Sequence, residues 1–506
     1  MLGETHPHRR KAHTDSAQAR NILTRSHSGR RHVSAMGSEP NSPSAVRMGP
    51  LARVTAIDAL THILGRQKHA DQALDEIFRS RPELRPLDRA FVYQIVFGSL
   101  RWLSKMDWIM SHMMDRPFHG LDPRVANALR VGTYQIFYMD RVPDRAAVSE
   151  TVEAVKQLGA AQAAPFVNAI LRRVARRAEY FPKPDKVTQR AAYLAMHTSH
   201  PEWMVRRWLD IMPPERLDYL LAAHNREPCK TLRILSKRAL PEDDPLPHHL
   251  LKTYGIHSEQ RPLRQALRVE SYPPFEHCGA FQNGGFIVQD EAAQLAASLV
   301  QPHPGESVFD ACAAPGGKAV AVWDQAPADV RYFLCESSTK RLALLEETLT
   351  RTGMKDEAHV SLASGDAVSA FEGQIFDKIV LDAPCTAMGI IARNPEIKWH
   401  RKPIDILKAA AEQKRLLDGL ATRVRPGGEL IYMVCSFEPE ETNLQVRNFL
   451  AEHPEFIAVD LANRVHEYYR KYLDERGQLL IYAGNQDNID GFYACVLRRQ
   501  GSESEG

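Results

Sequence analysis

The stretch SVFDACAAPGGK, residues 307–318, reads as a buried strand that ends at Asp310 and breaks into a glycine turn. Beyond it the chain repeats a strand, a turn and a helix. Such alternation predicts a parallel sheet with helices on both faces, so we expect residues 286–500 to form an α/β Rossmann-like domain. The apolar runs that predict its strands are 307–310, 331–335, 360–363, 378–381 and 429–434, with a late pair, 479–482 and 492–497, that could add antiparallel strands at an edge.

The first part of the chain carries a different pattern. Residues 49–180 read as one helix after another, which predicts an all-α bundle. Residues 87–103 carry two apolar stripes, which start at Leu87 and Val92, so this helix is expected at the centre of the bundle. The other predicted helices cover residues 51–64, 124–138, 146–158 and 165–177.

Two further regions have no clear helical repeat. Prolines cluster between residues 181 and 285, where short β-like pieces such as 231–235 predict a connector and a small α+β subdomain. Residues 1–48 are rich in Arg, His and Ser, so they are expected to form a disordered tail. The alternatives for this tail are an organellar transit segment or a true start at Met36 or Met48, and a dispensable tail is favoured.

Composition sets limits on the class of protein. The 506 residues suffice for two or three domains, and 44% apolar with 25% charged residues is typical of a soluble globular protein. The net charge is only +3, but residues 51–180 hold 19 Lys and Arg against 14 Asp and Glu. Four arginines bunch on one predicted helix and form either a solvated face or an RNA-binding patch, with neither favoured: Arg172, Arg173, Arg176 and Arg177.

The seven cysteines indicate the compartment. They are scattered without a CxxC pair, so no zinc or other metal site is expected. Their odd number in a large chain argues against a disulfide scaffold, and free thiols fit a reducing cytosol. No apolar run approaches the ~20 residues that span a bilayer. We therefore expect a cytoplasmic protein, monomeric and with no membrane partner.

A cofactor site is predicted at the carboxyl ends of the strands, where doubly wound sheets bind ligands. The glycine turn lets the backbone approach a ligand, Glu336 can accept both ribose hydroxyls, and Asp366 could contact an adenine amine. The turn is not GxGxxG, so a single nucleoside such as S-adenosylmethionine fits better than a dinucleotide. The residues expected to bind it are Cys312, Ala313, Ala314, Pro315, Gly316, Gly317, Lys318, Glu336, Asp366 and Asp382.

Two thiols are predicted to share this edge of the sheet. If the strand order is 3-2-1-4-5, Cys385 follows the fourth strand and Cys435 follows the fifth, and neighbouring strands lie about 4.8 Å apart. A cysteine is usually a small buried apolar side chain. That interpretation suits four others, and Cys312 is expected to line the cofactor turn without reacting. The four are Cys229, Cys278, Cys335 and Cys495.

A pair of thiols beside a methyl donor predicts covalent methyl transfer to a pyrimidine. A thiolate that adds to C6 of cytosine makes C5 nucleophilic, and a base must then remove the C5 proton before the thiol leaves. Asp382 could bond the N3 and amine edge of cytosine, and Lys318 could lower a thiol pKa or hold the substrate. The spacing alone does not tell which of Cys385 and Cys435 attacks.

These residues resemble the RsmB family of bacterial ribosomal RNA cytosine-C5 methyltransferases, within the Nop2/Sun group. The resemblance covers nearly everything after residue 50. The matching motifs of its catalytic part are DACAAPGGK at 310–318, DAPC at 382–385, RNPEIKW at 393–399, CSFEPEE at 435–441 and DGFY at 490–493. The helical part is similar to a NusB-type RNA-binding domain through FGSLR at 97–101 and NAILR at 168–172.

The resemblance implies a class I methyltransferase domain that uses S-adenosylmethionine. It implies a cytosine in small-subunit (16S) ribosomal RNA as acceptor, free or in an early assembly intermediate. It also implies that Cys435 is the nucleophile and that Cys385 aids release. The sequence departs from the family where Val434 replaces Thr, Thr386 replaces Ser and Thr442 replaces Asn.

Other functions fit these residues less well. A DNA cytosine-C5 methyltransferase uses a Pro-Cys nucleophile, which would be Cys385, but the second thiol and the helical domain argue against it. A C5 methyltransferase that acts on another RNA is a further alternative. A non-catalytic RNA-binding or antitermination factor would be indicated by loss of a cysteine or of the glycine turn, and all are present.

Overall fold

The computed structural model describes residues 49–115, 117–176, 183–238, 245–270, 275 and 278–501. The predicted tail, residues 1–48, and Arg177 lie outside the described residues. The chain divides into two compact units. One takes residues up to Arg226 together with Asn394–His400, and the other takes Glu227–Arg393 and Arg401–Gly506. The helical unit therefore runs beyond residue 180, where the sequence suggested a boundary.

The first unit is built of helices, which confirms the predicted all-α bundle. Proline occupies the first or second position of five of them, where its missing N–H costs no helical hydrogen bond. Its described helices are α1 (Pro50–Arg66), α2 (Ala70–Ser80), α3 (Pro86–Arg101), α4 (Leu103–Ser111), α5 (Pro123–Tyr138), α6 (Asp144–Gln157), α7 (Ala164–Ala175), α8 (Arg190–Thr198), α9 (Glu202–Ile211) and α10 (Pro214–His224), with a short helix at Ile397–His400.

The central helix, α3, differs in two details from the sequence prediction. Val92, Val96 and Leu100 are fully buried as expected, but Leu87 is 59% exposed, so the first apolar stripe does not begin there. The helix also ends at Arg101, because Trp102 leaves the helical region, and α4 starts anew at Leu103. Helices α2 and α4 were not predicted from the sequence.

The segment Asn394–His400 packs among these helices as part of the first unit. The ammonium of Lys398 is fully buried and donates to the carbonyl oxygens of Arg101 and Ser199, both at 2.8 Å, and to Asn225 Oδ1 at 3.1 Å. The indole of Trp399 donates to the Leu100 carbonyl at 2.8 Å. The segment thus satisfies carbonyl groups at the end of α3 and directly after α8, and a side-chain amide oxygen directly after α10.

The second unit contains a small antiparallel sheet with the strand order β2-β3-β1-β4. This sheet includes the strand predicted near residues 231–235. Its strands are β1 (Lys230–Ile234), β2 (Ser258–Gln260), β3 (Ala266–Val269) and β4 (Phe286–Val288), with helices α11 (Leu246–Tyr254) and α12 (Gly279–Gln282).

A larger mixed sheet follows, with the order β10-β12-β9-β8-β5-β6-β7, and β11 pairs with β12. The strands from β5 to β9 pair in parallel in the predicted 3-2-1-4-5 order, and β12 runs antiparallel to β9. This confirms the Rossmann-like domain. Its strands are β5 (Ser307–Asp310), β6 (Arg331–Glu336), β7 (His359–Ser364), β8 (Phe376–Asp382), β9 (Val424–Val434), β10 (Phe456–Ala458), β11 (Leu479–Ile481) and β12 (Phe492–Arg499).

Both faces of this sheet are covered. Neighbouring residues of a strand point to opposite faces, and accordingly Val308 belongs to one apolar cluster and Phe309 to another. Burial on both faces explains why the central strands read as continuous apolar runs rather than as alternating ones. The described helices of this part are α13 (Glu291–Ala297), α14 (Gly317–Gln325), α15 (Thr339–Thr352), α16 (Met354–Glu357), α17 (Pro403–Ala421) and α18 (Asn443–Glu452).

Replacing Lys398 by Met should destabilise the helical unit by about 2–5 kcal/mol, because methionine fills the space but leaves buried carbonyl groups without a donor. Hydrogen exchange of the α3 and α8 amides checks this. The exposed Lys408→Met variant serves as control and should change stability by less than about 0.5 kcal/mol. Equal protection in the two variants would show that the bonds of Lys398 contribute little.

Candidate active site

The two predicted thiols lie together. Cys385 follows β8, Cys435 follows β9, and their Sγ atoms are 3.2 Å apart. The strand pairing causes this, since Asp382 lies opposite Met433 and the Ala383 N–H donates to the Met433 carbonyl at 2.9 Å. Both thiols are partly exposed, so a substrate can reach them.

The loop after Cys385 turns back onto the loop after Cys435. Gly389 N–H donates to the Cys435 carbonyl at 3.0 Å, and Gly491 N–H donates to the Gly389 carbonyl at 2.8 Å. A Cβ at Gly389 would lie 2.1 Å from the Gly491 carbonyl oxygen, so no larger residue fits without a shift of the backbone. These contacts bring the DGFY segment, 490–493, up to the cysteine loops.

Lys318 and Asp382 form an ion pair beside the thiols. The ammonium lies 2.7 Å from Asp382 Oδ2 and 5.3 Å from the centre of the Phe492 ring. Burial alone would lower the pKa of Lys318, but Asp382, with Cys435 and Asp310, raises it above its usual value. Lys318 therefore stays cationic within electrostatic range of Cys435.

A hydrogen bond joins the two thiols of the pair. The hydrogen bond with Cys435 raises the pKa of the Cys385 thiol well above its usual value, and burial adds to the effect. Either sulfur can donate in this bond, so the geometry alone does not tell which of the two thiols attacks. Burial and the Asp310 carboxylate also raise the pKa of Cys312, which keeps that thiol protonated and unreactive.

The glycine turn enters α14 from the end of β5. Gly316 has φ of +102°, a conformation that residues with a side chain rarely adopt, and a Cβ there would lie 3.0 Å from Leu345 Cδ1. Gly317 is the first residue of α14. The turn therefore brings bare backbone and a helix N-terminus to the edge of the sheet where β6 and β7 also end.

Glu336 fits the predicted ribose contact. It is 2% exposed, and its Oε1 accepts from the Ser338 N–H at 2.9 Å. Its Oε2 is buried and receives no hydrogen bond, although Arg341 Nη1 lies 3.4 Å away as an ion-pair partner. A buried carboxylate oxygen with spare acceptor capacity is what a ribose hydroxyl needs.

Asp366 is less available than predicted. Arg415 binds its carboxylate with two hydrogen bonds, of 2.9 and 3.1 Å, and this contact lowers the pKa of Asp366. The pair is exposed, and a carboxylate has about four acceptor positions. An adenine contact would have to use a position that Arg415 leaves open.

Two buried carboxylates belong to the site although no role was predicted for them from the sequence. Asp310 is the last residue of β5, and burial, with Asp382 nearby, raises its pKa to about 7. The position of Asp310 at the end of a predicted strand could have indicated that it belongs to the site. Glu441 lies six residues after Cys435 and bonds to both cysteine loops. No local pattern marks such a contact, because it depends on how the two loops meet.

The arginine cluster lies on and just after α7. Arg172, Arg173 and Arg176 are exposed, and Arg173 also donates to the Met113 carbonyl at 2.7 Å. None of the described helices is long and apolar enough to cross a membrane. Within the described ranges no group of three or more His, Cys, Asp or Glu residues could hold a metal ion.

Comparisons with known proteins identify the family. Residues 297–498 match the model described as 16S rRNA methyltransferase RsmB/F, and residues 50–176 match the NusB family. A Bacillus subtilis (strain 168) protein named probable ribosomal RNA small subunit methyltransferase B is 31% identical over 452 residues, 89% of this chain and 99% of the relative. This chain belongs to the RsmB family. A relative from Salmonella newport (strain SL254), ribosomal RNA small subunit methyltransferase B, is 36% identical over 413 residues, 81% of this chain and 90% of its own.

Solved structures share the fold of this RsmB-family chain. The crystal structure of PH0851 covers 91% of this chain and 100% of its own, with a TM-score of 0.75 and 23% identity. A methyltransferase homologue from Pyrococcus horikoshii covers 62% of this chain and 100% of its own, with a TM-score of 0.52 and 23% identity. At such identity the likeness concerns the fold alone.

Proposed function

We propose that this protein transfers a methyl group from S-adenosylmethionine to C5 of a cytosine in 16S ribosomal RNA, through a covalent bond between a cysteine and C6. The observation that carries the proposal is the pair of Sγ atoms 3.2 Å apart, beside the ion pair of Lys318 and Asp382. The relatives named ribosomal RNA small subunit methyltransferase B, at 31–36% identity, support the substrate.

The cofactor site follows from the residues at the strand ends. S-adenosylmethionine, when bound, supplies a methyl group on a positively charged sulfur. The backbone from Cys312 to Gly317 would border it, and Glu336 Oε2 would accept from its ribose. The three carboxyl groups of Asp310, Glu336 and Asp382 outnumber the two cations beside them, Lys318 and Arg341, which suits a positively charged ligand. Asp366 remains a candidate for the adenine contact.

Different side chains of the protein then carry out different steps of the reaction. The resemblance to the RsmB family assigns the attack on C6 to Cys435, and Lys318, which stays cationic, lies within electrostatic range of this sulfur. Asp382 faces the edge of the ring as a hydrogen-bonding partner. After C5 is methylated, its proton must pass to a base while the Cys435–C6 bond breaks. Once Cys435 is bonded to C6, the hydrogen bond that raises the pKa of Cys385 is gone, so Cys385 can lose its own proton to water and then take the C5 proton, since it lies within reach of the same ring.

Removing each thiol should give opposite results. Cys435→Ala should form no RNA adduct and no product, because nothing attacks C6. Cys385→Ala should still attack, so a methylated protein–RNA conjugate that survives denaturation and is sensitive to RNase should accumulate. Labelled S-adenosylmethionine with 16S RNA and a denaturing gel checks both, with Cys229→Ala, outside the site, as control. Normal multiple turnover by Cys385→Ala would remove Cys385 from the mechanism.

Glu336→Gln should weaken the binding of S-adenosylmethionine by roughly 1.5–3 kcal/mol, because an ionised acceptor for the ribose becomes neutral. The amide oxygen can still accept from the Ser338 N–H, so the loop is kept. Calorimetric titration measures the change, and the exposed Glu346→Gln on α15 is the control. Unchanged affinity would place the ribose contact elsewhere.

The arginine cluster is proposed to contact phosphates of the RNA. Exchanging Arg172 and Arg176 together for Gln should weaken binding and reduce the slope of log affinity against log salt by about 0.7–0.9 for each phosphate that the variant no longer neutralises. The control is Arg206→Gln, an exposed arginine on α9 of the same unit. An unchanged slope for the double variant would make the cluster a solvated face.

A further inference from the structure

One carboxylate holds both cysteine loops. Glu441 is fully buried, and its Oε1 accepts from the Thr386 N–H at 2.8 Å and from Gln413 Nε2 at 3.1 Å. Its Oε2 accepts from the Ser436 hydroxyl at 2.6 Å and from the Thr386 hydroxyl. Among the described residues no Lys, Arg or His forms an ion pair with it, so hydrogen bonds alone stabilise this buried charge.

The partners of Glu441 flank the two thiols. Thr386 directly follows Cys385, and Ser436 directly follows Cys435. Gln413, on α17, also donates to the carbonyl of Pro384, the residue before Cys385, at 2.9 Å. Tyr432, near the end of β9, donates to the Glu441 carbonyl at 2.7 Å and to Gln413 Oε1 at 3.0 Å. Each of these hydrogen bonds therefore joins Glu441 or Gln413 to a residue no more than three positions from Cys385 or Cys435, or joins Glu441 to Gln413.

We propose that Glu441 is a positioning residue that fixes the separation of Cys385 and Cys435. The role of this separation rests on the proposed function, in which one ring must meet both sulfurs in turn. The strand pairing brings the loops to the same edge, but each loop leaves its strand before the cysteine. The carboxylate, which binds the residue after each sulfur, supplies the remaining constraint, and small losses of position in a site cost large factors in rate.

The chemistry of the carboxylate makes the proposal specific. Glu441→Gln keeps the volume but offers one acceptor oxygen and one NH₂ donor. If the oxygen stays with the Thr386 N–H and Gln413, the NH₂ faces two hydroxyl groups that previously donated. If the amide turns over, the NH₂ faces two N–H donors instead. In the first orientation the two hydroxyls keep their bonds only if both reverse and accept from the NH₂, and in the second orientation the bonds to the Thr386 N–H and to Gln413 are lost. In both cases the charge-assisted bonds of the carboxylate are lost or replaced by weaker neutral ones, so the two sulfurs are held less firmly.

The spacing of the sulfurs can be tested without RNA. Phenylarsine oxide bridges two close thiols: two As–S bonds form, and the oxygen leaves with both thiol protons as water. Full-length protein is treated briefly, and mass spectrometry of peptides measures the bridge between Cys385 and Cys435. We expect Glu441→Gln to form at least about tenfold less bridge than the unmodified protein. Glu440→Gln, the same change one residue earlier, should match the unmodified protein.

A catalytic readout separates positioning from a general structural role. In Glu441→Gln the attack by Cys435 needs only one thiol, whereas release needs both. The ratio of trapped methylated adduct to free product should therefore rise, while affinity for S-adenosylmethionine stays unchanged. An unchanged bridge yield together with an unchanged ratio of adduct to product would overturn the proposal.

Two further outcomes have a defined meaning. If Glu441→Gln does not fold, Ser436→Ala takes its place, since it removes one hydroxyl from the carboxylate and leaves the charge. It should lower the bridge yield in the same direction, and a yield equal to that of the unmodified protein would overturn the proposal. If the unmodified protein transfers no methyl group to RNA, the proposed function fails, whereas the bridging experiment still measures whether Glu441 sets the sulfur spacing.

Discussion

The parallel pairing of β8 with β9 is the constraint on which the rest of the site depends. It puts Asp382 opposite Met433, so the chain leaves both strands at one edge and at one level. Each strand is buried on both faces, and a slip of one residue would turn every side chain to the other face. The core therefore fixes the register, and the register brings Cys385 and Cys435 to the same place.

The charges at this edge follow from the same sheet. Parallel strands end together, so Asp310, Glu336 and Asp382 collect there at the ends of β5, β6 and β8. Burial and mutual repulsion make full ionisation costly, which the raised pKa of Asp310 reflects. Lys318 pairs with Asp382 and Arg341 pairs with Glu336, so among these three carboxyl groups only Asp310 is without an ion pair in the described part of the chain. Such an environment favours a positively charged ligand over a pyrophosphate, in agreement with a turn that lacks the dinucleotide motif.

Much of the fold and of the candidate site could be predicted from the sequence, because the signals lie within short stretches of the chain. Continuous apolar runs located β5 to β9, and residues that end such runs pointed to the thiols and to Glu336. Contacts between residues that are distant in sequence could not be predicted. Glu441 could be quoted within CSFEPEE but not given a role, because its partners Thr386 and Gln413 are distant in sequence. The exposure of Leu87 was missed because an apolar stripe does not show where the core ends.

The motif RNPEIKW, 393–399, shows most clearly that neighbouring residues in the sequence can belong to different units of the structure. Arg393 belongs to the catalytic unit and pairs there with Asp290 and Asp490, at 2.6 and 2.5 Å. Five residues later, Lys398 belongs to the helical unit, where backbone carbonyls surround its ammonium. A fully buried lysine cannot reach a phosphate, and burial lowers the pKa of Lys398 well below its usual value, so this basic residue cannot contribute to RNA binding. Basic residues that bind RNA must instead be sought among exposed ones, such as Arg172 and Arg176.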